Sequence, residues 1–147
     1  MSPLKIYRLS NFLYRRRVPL LPKLLKAINY VIFNCVIPPE CVIGNGTRLS
    51  HSGLGVIIHP GTIIGKNCNI YNHVVFGGGN DGEGGPPTKI IIGDNCNISV
   101  GAKILAKGTL EVGHDSTIGA GAVVLSHIPP NSVAVGIPAK VVKSKAK

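Results

Sequence analysis

The chain has 147 residues, with 16 Lys and Arg against 6 Asp and Glu, and 44% of its residues are hydrophobic. This much aliphatic surface excludes a disordered chain. A collagen is excluded because the glycines lack its three-residue period, and a membrane span is excluded because no apolar run reaches roughly 18 residues. Seven basic residues and no acid lie in residues 1–39, and four lysines lie in residues 140–147. Since the body between them is nearly neutral, the net charge of +10 predicts local anion contacts and argues against a nucleic-acid binder.

Residues 1–35 are rich in leucine, which favours helix, and they predict a basic head with short helices over residues 4–14 and 22–33. The second helix carries an apolar stripe, made of Leu21, Leu24, Leu25, Ile28, Val31 and Ile32. Two compatible interpretations of this head stay open. It is a cap over the open end of the body, or an amphipathic element that contacts an anionic membrane surface.

Residues 36–139 repeat with a period of six. Hydrophobic anchors recur at this spacing within four groups, which are Ile37, Ile43, Leu49; Ile58, Ile64, Ile70, Phe76; Ile92, Ile98, Ile104; and Val112, Ile118, Val124. Hexapeptide spacing is typical of a parallel β-helix, here of four to five triangular coils with the anchors inside. Residues 140–147 follow as a basic tail.

Cysteines occupy the small-residue position, four residues after an anchor, in three of the repeats, at Cys41, Cys68 and Cys96. This placement predicts buried packing and argues against a nucleophilic role. The cysteines have no zinc-site spacing. The basic residues of the first segment are not followed by an apolar region and a small-residue cleavage site, so we expect no secretory signal. The cysteines therefore favour a reducing, cytoplasmic setting.

The period of six is interrupted around residue 51, between residues 77 and 89, and near residue 108. Residues 77–89 contain six glycines and two prolines, which predicts a loop extruded from the stack. Function often resides on such loops. His51 lies at the first interruption among small residues, where a base could reach a hydroxyl group, and His59 and His73 are weaker candidates. The histidines form no close pair, so we expect no metal site.

Four segments of the chain resemble the serine acetyltransferase branch of the hexapeptide-repeat acyltransferases. They are residues 48–70 (RLSHSGLGVIIHPGTIIGKNCNI), the loop at 76–90, residues 97–105 (NISVGAKIL) and residues 135–142 (VGIPAKVV). In this resemblance His51 falls on the catalytic histidine of the family. The resemblance implies a left-handed β-helix, a homotrimer, and direct transfer of acetyl from acetyl-CoA to a hydroxyl group without a metal.

The resemblance also implies where the co-substrate binds. Backbone N–H groups near Gly78 would stabilise the oxyanion. The small residues Ala102 and Ala120 would allow close approach of the pantetheine arm, and Lys140 or Lys143 would contact the phosphates of coenzyme A.

Three positions depart from the family pattern. The carboxylate partner of the histidine, the aspartate before it and a second active-site histidine fall on Val36, Ser50 and Pro87. Asp81 and Glu83 are candidate substitutes for the missing acidic groups.

We therefore expect an O-acetyltransferase that acts on a sugar hydroxyl of a surface polysaccharide or its precursor. Serine O-acetylation, as in cysteine biosynthesis, is the alternative acceptor reaction. A non-catalytic trimeric scaffold or membrane-surface binding protein is the alternative of another class.

Overall fold

The computed structural model describes residues 2–79 and 84–145. Two helices, α1 (Pro3–Arg15) and α2 (Leu21–Phe33), precede a body of three mainly parallel sheets, which we call walls 1, 2 and 3. The chain visits the walls in the repeating order 1, 2, 3, so that each circuit forms one level of a left-handed parallel β-helix.

The strands are short and stack in register. Wall 1 contains β1 (Val42–Ile43), β4 (Thr62–Ile64), β7 (Lys89–Ile92) and β10 (Thr109–Val112). Wall 2 contains β2 (Arg48–Leu49), β5 (Asn69–Ile70), β8 (Asn97–Ile98), β11 (Thr117–Ile118), β13 (Ser132–Val135) and β14 (Lys140–Ser144). Wall 3 contains β3 (Ile57–Ile58), β6 (Val75–Gly78), β9 (Lys103–Ala106) and β12 (Val123–Val124).

The anchors of the six-residue repeat form the core, as the sequence predicts. Twelve of the thirteen are at most 6% exposed, and Leu49 is half-buried. Full burial of such a side chain contributes about 1.5–3 kcal/mol. Single-residue bridges at Val36 and Ile128 extend walls 3 and 1, so each wall has five levels of parallel pairing. The predicted β-helix of four to five coils with a helical head is therefore confirmed.

The loop and the tail differ in extent from the prediction. Gly77 and Gly78 end β6 and Lys89 begins β7, so these three residues of the predicted loop at 77–89 belong to the walls. Lys140–Ser144, within the predicted basic tail at 140–147, form a strand that pairs antiparallel with β13. The unpaired backbone groups at the end of wall 2 explain this pairing, because they provide a ready template for another strand.

Helix α1 joins the head to the first level of the β-helix. The buried Tyr7 hydroxyl donates a hydrogen bond to the carbonyl oxygen of Cys41 at 2.7 Å, and Asn11 Nδ2 donates to that of Pro39 at 2.7 Å. Helix α2 packs on α1, where the buried Asn29 Nδ2 donates to the carbonyl oxygen of Pro3 at 3.1 Å. The cap interpretation therefore fits α1.

The apolar stripe of α2 remains largely exposed, with Leu24 56% and Val31 78% exposed. It does not close the end of the β-helix. Neither helix, within the part of the chain that the structure describes, has the length and hydropathy needed to cross a membrane.

The four cysteines are buried free thiols. Burial raises the pKa of Cys35 to about 11 and that of Cys41 to about 12. The side-chain hydrogen bond with Cys68, together with burial, raises the pKa of the Cys96 thiol. Since the thiolate is the nucleophilic form, these three thiols are chemically quiet at neutral pH.

Candidate active site

His51 lies on a 3-10 turn, Ser50–Gly53, where the chain crosses from wall 2 to wall 3. The backbone of His51 has φ 49° and ψ 42°, and Ser52 has φ 55°. Gly53 follows with φ 72°. Three successive left-handed residues make a bulge that leaves the imidazole exposed. The interruption of the repeat at this point in the sequence therefore corresponds to a distinct turn.

The bulge rests on a tightly packed base. Gly53 is buried, and a Cβ atom there would lie 3.0 Å from Cδ1 of Leu49. The N–H of Gly55 donates to the carbonyl oxygen of Asn34 at 2.9 Å, which ties the bulge to the end of α2. An added Cβ at Gly55 would overlap the ring of His73. The His51 turn is therefore held from both sides.

The turns between walls 2 and 3 stack above His51 into one continuous edge, which we call edge 2–3. The N–H of His73 donates to Leu54 at 2.8 Å, that of Gly101 to Asn72 at 3.1 Å, and that of Gly121 to Val100 at 2.9 Å. Ala120 lies in the fourth turn of this stack. Since parallel strands are about 4.8 Å apart, three steps separate it from the His51 level by roughly 14 Å.

The last turn of edge 2–3 contains the Gly136–Ala139 segment. The N–H of Val123 donates to the carbonyl oxygen of Gly136 at 3.0 Å, and that of Ala139 donates to Val123 at 2.8 Å. Lys140 follows directly and is exposed. The structure thus brings His51, Ala120 and Lys140 to one edge. Lys143, also exposed, lies further along β14, opposite Val133.

Ala102 requires a correction. It is 0% exposed and belongs to the hydrophobic core. Its side chain therefore faces the interior and cannot line a co-substrate site on the surface. Its position four residues after the anchor Ile98 assigns it to the inward small-residue slot.

The glycine loop leaves the β-helix at a different edge, between walls 3 and 1, which we call edge 3–1. Gly78 is exposed at its base, where an added Cβ would lie 2.7 Å from Cβ of Thr88. A side chain at this position would push the two arms of the loop apart. The position therefore requires glycine.

A groove of about 590 Å³ runs beside the loop. Its lining includes Gly78, Gly79, Leu105, Lys107, Leu125 and His127. The six-residue pattern does not predict this groove. The one available signal was the interruption near residue 108, which marks the turn between β9 and β10.

The acidic side chains within residues 2–79 and 84–145 lie away from His51. Asp94 and Asp115 occupy turns between walls 1 and 2, Glu111 is on wall 1, and Glu40 precedes β1. None of these carboxylates is on edge 2–3, where a partner for His51 would be needed. Asp81 and Glu83, the candidate substitutes, lie outside the described residues.

The three family positions that depart from the pattern are dispersed in the structure. Val36 is half-buried and pairs with Ile57, and Ser50 is half-buried at the start of the His51 turn. Pro87 is exposed in the glycine loop on edge 3–1.

Three other histidines are engaged in local structure. His59 Nδ1 accepts a hydrogen bond from the N–H of Gly61, and His127 Nδ1 accepts one from that of Glu111, both at 3.0 Å. His114 Nδ1 lies 2.7 Å from an oxygen of Asp115, and this contact holds the pKa of the Asp115 carboxyl below its usual value. No three His, Cys, Asp or Glu side chains in the described ranges are grouped to hold a metal ion.

Comparison with known proteins gives consistent relatives, although no family model matches the chain. The chain is 39% identical over 137 residues to the serine acetyltransferase of Helicobacter pylori (strain J99), covering 92% of this chain and 77% of that protein. It is 35% identical to that of Synechococcus elongatus, covering 92% and 54%. The chain spans about half the length of the first curated relatives it matches.

Solved structures agree. A serine acetyltransferase from Neisseria gonorrhoeae has a TM-score of 0.89 at 30% identity, covering 99% of this chain and 55% of that one. A serine acetyltransferase from Brucella abortus, solved in complex with coenzyme A, has a TM-score of 0.89 at 29% identity, covering 97% and 55%.

Proposed function

This chain belongs to the serine acetyltransferase branch of the hexapeptide-repeat acyltransferases, and we propose that it transfers acetyl from acetyl-CoA to a hydroxyl group. The observation that carries the proposal is the position of His51. Its exposed imidazole projects from a rigid left-handed bulge on the same edge as Ala120 and Lys140. An extended thioester co-substrate lying along that edge would pass from the lysine to the histidine.

The chemistry assigned to His51 is general base catalysis. Its neutral imidazole accepts the proton of the acceptor hydroxyl as the oxygen attacks the thioester carbonyl. Collapse of the tetrahedral intermediate breaks the carbon–sulfur bond, and the departing thiolate of coenzyme A takes the proton from the imidazolium. Backbone N–H groups near Gly78 would stabilise the intermediate oxyanion.

These two elements support a homotrimer as the working assembly. His51 is on edge 2–3 and Gly78 is on edge 3–1, so wall 3 separates them within one chain. In a ring of parallel β-helices, the His51 edge of one subunit would face the loop of the next through a head-to-tail interface. Each active site would then need two chains.

The outer surfaces of the walls differ in a way that supports this assembly. Wall 3 exposes Ile57, Leu105 and Leu125 at 45%, 38% and 57%, and wall 1 exposes Val42 and Ile63 at 37% and 36%. Over its first four strands wall 2 has polar outward residues, at Arg48, Asn69, Asn97 and Thr117, and its exposed valines lie on β13 and β14. At the first four levels, therefore, the apolar walls 3 and 1 suit interfaces and wall 2 suits solvent.

A mixing experiment tests whether the site is shared. We expect chains with His51→Asn and chains with Gly78→Val to be inactive when expressed separately. When the two are co-expressed in equal amounts, about a quarter of the interfaces in a head-to-tail trimer pair an intact His51 with an intact loop. Recovery of about that fraction of wild-type activity is the expected result, and no recovery would show that each chain builds its own site.

Serine is the first candidate acceptor, because the curated relatives described above are named for it. A sugar hydroxyl is the second. The observation that favours a sugar is the lack of a carboxylate among the described residues of edge 2–3. Free serine has an ammonium group that needs an anionic partner when it is desolvated, and a sugar has none.

A direct assay distinguishes the acceptors. Purified protein with acetyl-CoA is given serine or a panel of free and nucleotide-linked sugars, and thiol release is measured. We expect serine to support turnover that disappears with His51→Asn. Turnover with a sugar and none with serine would replace serine as the acceptor. If no acceptor works and calorimetry detects no acetyl-CoA binding, the non-catalytic scaffold is correct.

A further inference from the structure

The side of α2 that faces away from α1 is an exposed aliphatic surface. Leu21, Leu24, Val31 and Ile32 are 41%, 56%, 78% and 55% exposed, and they lie within one side of the helix. A contiguous exposed apolar patch marks a surface that another structure covers. We call these four residues together with Leu20 the head stripe.

Leu20 adds an unusual feature at the start of this surface. It has φ 64° and ψ −46°, and the N–H of Leu21 donates to the carbonyl oxygen of Pro19 at 2.7 Å. These angles and this bond define a γ-turn, which is a strained conformation for leucine. The turn holds Leu20 79% exposed, so the strain is not offset by packing within the chain.

Cations surround the head stripe. Arg15, Arg16 and Arg17 precede Leu20, and Lys23 lies in the first turn of α2. Glu40 lines the same cleft as Leu20 and Lys23, so the cations exceed the acidic groups there without being free of them. A second copy of the head would bring the same positive charge against this surface, which opposes self-association. Nucleic acid would match the charge but leave the aliphatic side chains uncovered.

One aromatic side chain lies against these cations. Phe12 is 51% exposed, and the guanidinium of Arg16 lies 4.7 Å from the centre of its ring. Exposed leucines, an exposed phenylalanine and an excess of cations are together typical of helices that lie in the plane of a lipid headgroup layer.

We propose that the head docks on the anionic surface of a phospholipid bilayer, with the head stripe inserted at the headgroup boundary and Arg15–Arg17 against lipid phosphates. The inference does not depend on acetyl transfer, since lipid binding can be measured without an acceptor. It has a geometric consequence for the site. A cleft of about 310 Å³ between the head and the first level is lined by Leu4, Leu49 and Ser52, so the bilayer would lie at the same end of the β-helix as His51.

The test is vesicle co-sedimentation of the full chain at physiological ionic strength, with phosphatidylcholine vesicles with or without phosphatidylglycerol. Binding is expected with phosphatidylglycerol only. Replacing Arg15, Arg16 and Arg17 by glutamine should weaken it about a hundredfold, at about fivefold for each cation. Leu24→Ser combined with Val31→Ser should weaken it by at least about tenfold, because these side chains enter the apolar boundary.

Matched controls separate the head from the rest of the chain. Replacing Lys140, Lys143 and Lys145 by glutamine removes the same charge from the other end, and Val142→Ser removes a valine that is 62% exposed. Both should leave vesicle binding unchanged, and thermal melting should confirm that every variant is folded.

Three results would overturn the proposal. The first is failure of the wild type to bind anionic vesicles, and the second is equal loss of binding in the tail variants. The third is that replacing Leu24 and Val31 changes the sedimentation of the protein without vesicles and leaves vesicle binding unchanged. In that third case a second copy of the chain covers the head stripe.

Discussion

Replacement of His51 by asparagine is expected to lower kcat about a thousandfold, within the range that a general base contributes. The dissociation constant for acetyl-CoA should stay nearly constant, since the lost interaction is with the acceptor proton. Thiol release gives the first quantity and calorimetry gives the second. A matching loss in both would indicate that His51 holds the co-substrate.

Asparagine is a better substitute than alanine because of the backbone. His51 has φ 49°, a region that asparagine tolerates and alanine disfavours. The substitution therefore removes the base while keeping the bulge. His114→Asn is the matched control, because His114 is also exposed but lies between walls 1 and 2 beside Asp115.

The control should keep wild-type activity. If His51→Asn retains more than a tenth of wild-type kcat, another group accepts the proton. His73, in the adjacent turn of the same edge, would then be the next candidate.

The second large effect concerns stability. Gly93→Ala is expected to lower the melting temperature by about 10 °C, corresponding to roughly 3 kcal/mol in a domain of this size. Gly93 lies in the turn between β7 and β8, and an added Cβ would be 2.7 Å from Cα of His114 in the next level. The obstacle is backbone, which cannot move aside without distorting the stack.

Neighbouring turns show that this contact is part of a column. A Cβ at Gly44 would lie 2.6 Å from the carbonyl carbon of Gly65, and one at Gly113 would lie 2.8 Å from that of Pro129. The turns at this edge therefore stack backbone on backbone. Glycine is required here for space, since these positions have no positive φ.

Gly79→Ala provides the control for this prediction. Among residues 2–79 and 84–145, an added Cβ there meets only Cγ of Lys107, at 3.9 Å, and Gly79 has no positive φ. Its melting temperature should match that of the wild type. A melting temperature for Gly93→Ala within about 2 °C of the wild type would correspond to less than 1 kcal/mol. That result would show that adjacent levels of the β-helix move apart to accommodate the added Cβ.

The repeat made most of the fold predictable from sequence. A six-residue period specifies which side chains point inward, and the buried anchors Ile58, Ile70 and Ile98 follow it directly. Interruptions of the period located the His51 turn and the glycine loop. The period and its interruptions depend on how one chain folds, and neither carries information about contacts between chains in the predicted trimer.

The sequence was less informative where a pattern has two physical outcomes. The apolar pattern of a helix such as α2 is the same in sequence whether its stripe is covered or exposed. The structure shows that α1 packs against the first level and that the stripe of α2 is largely exposed. Ala102 was assigned to the co-substrate site by resemblance, while its place in the repeat indicated the interior. For that residue the repeat was the better guide.

Strand β14 has a consequence for solubility. A column of parallel coils presents the same open backbone at its end that amyloid fibrils use to grow, so an unprotected end could add further chains without limit. Lys140–Ser144 reverse direction across the last level of wall 2 and place exposed lysines on the outermost strand. With α1 against the opposite end, the chain terminates its own column and opposes polymerisation end to end.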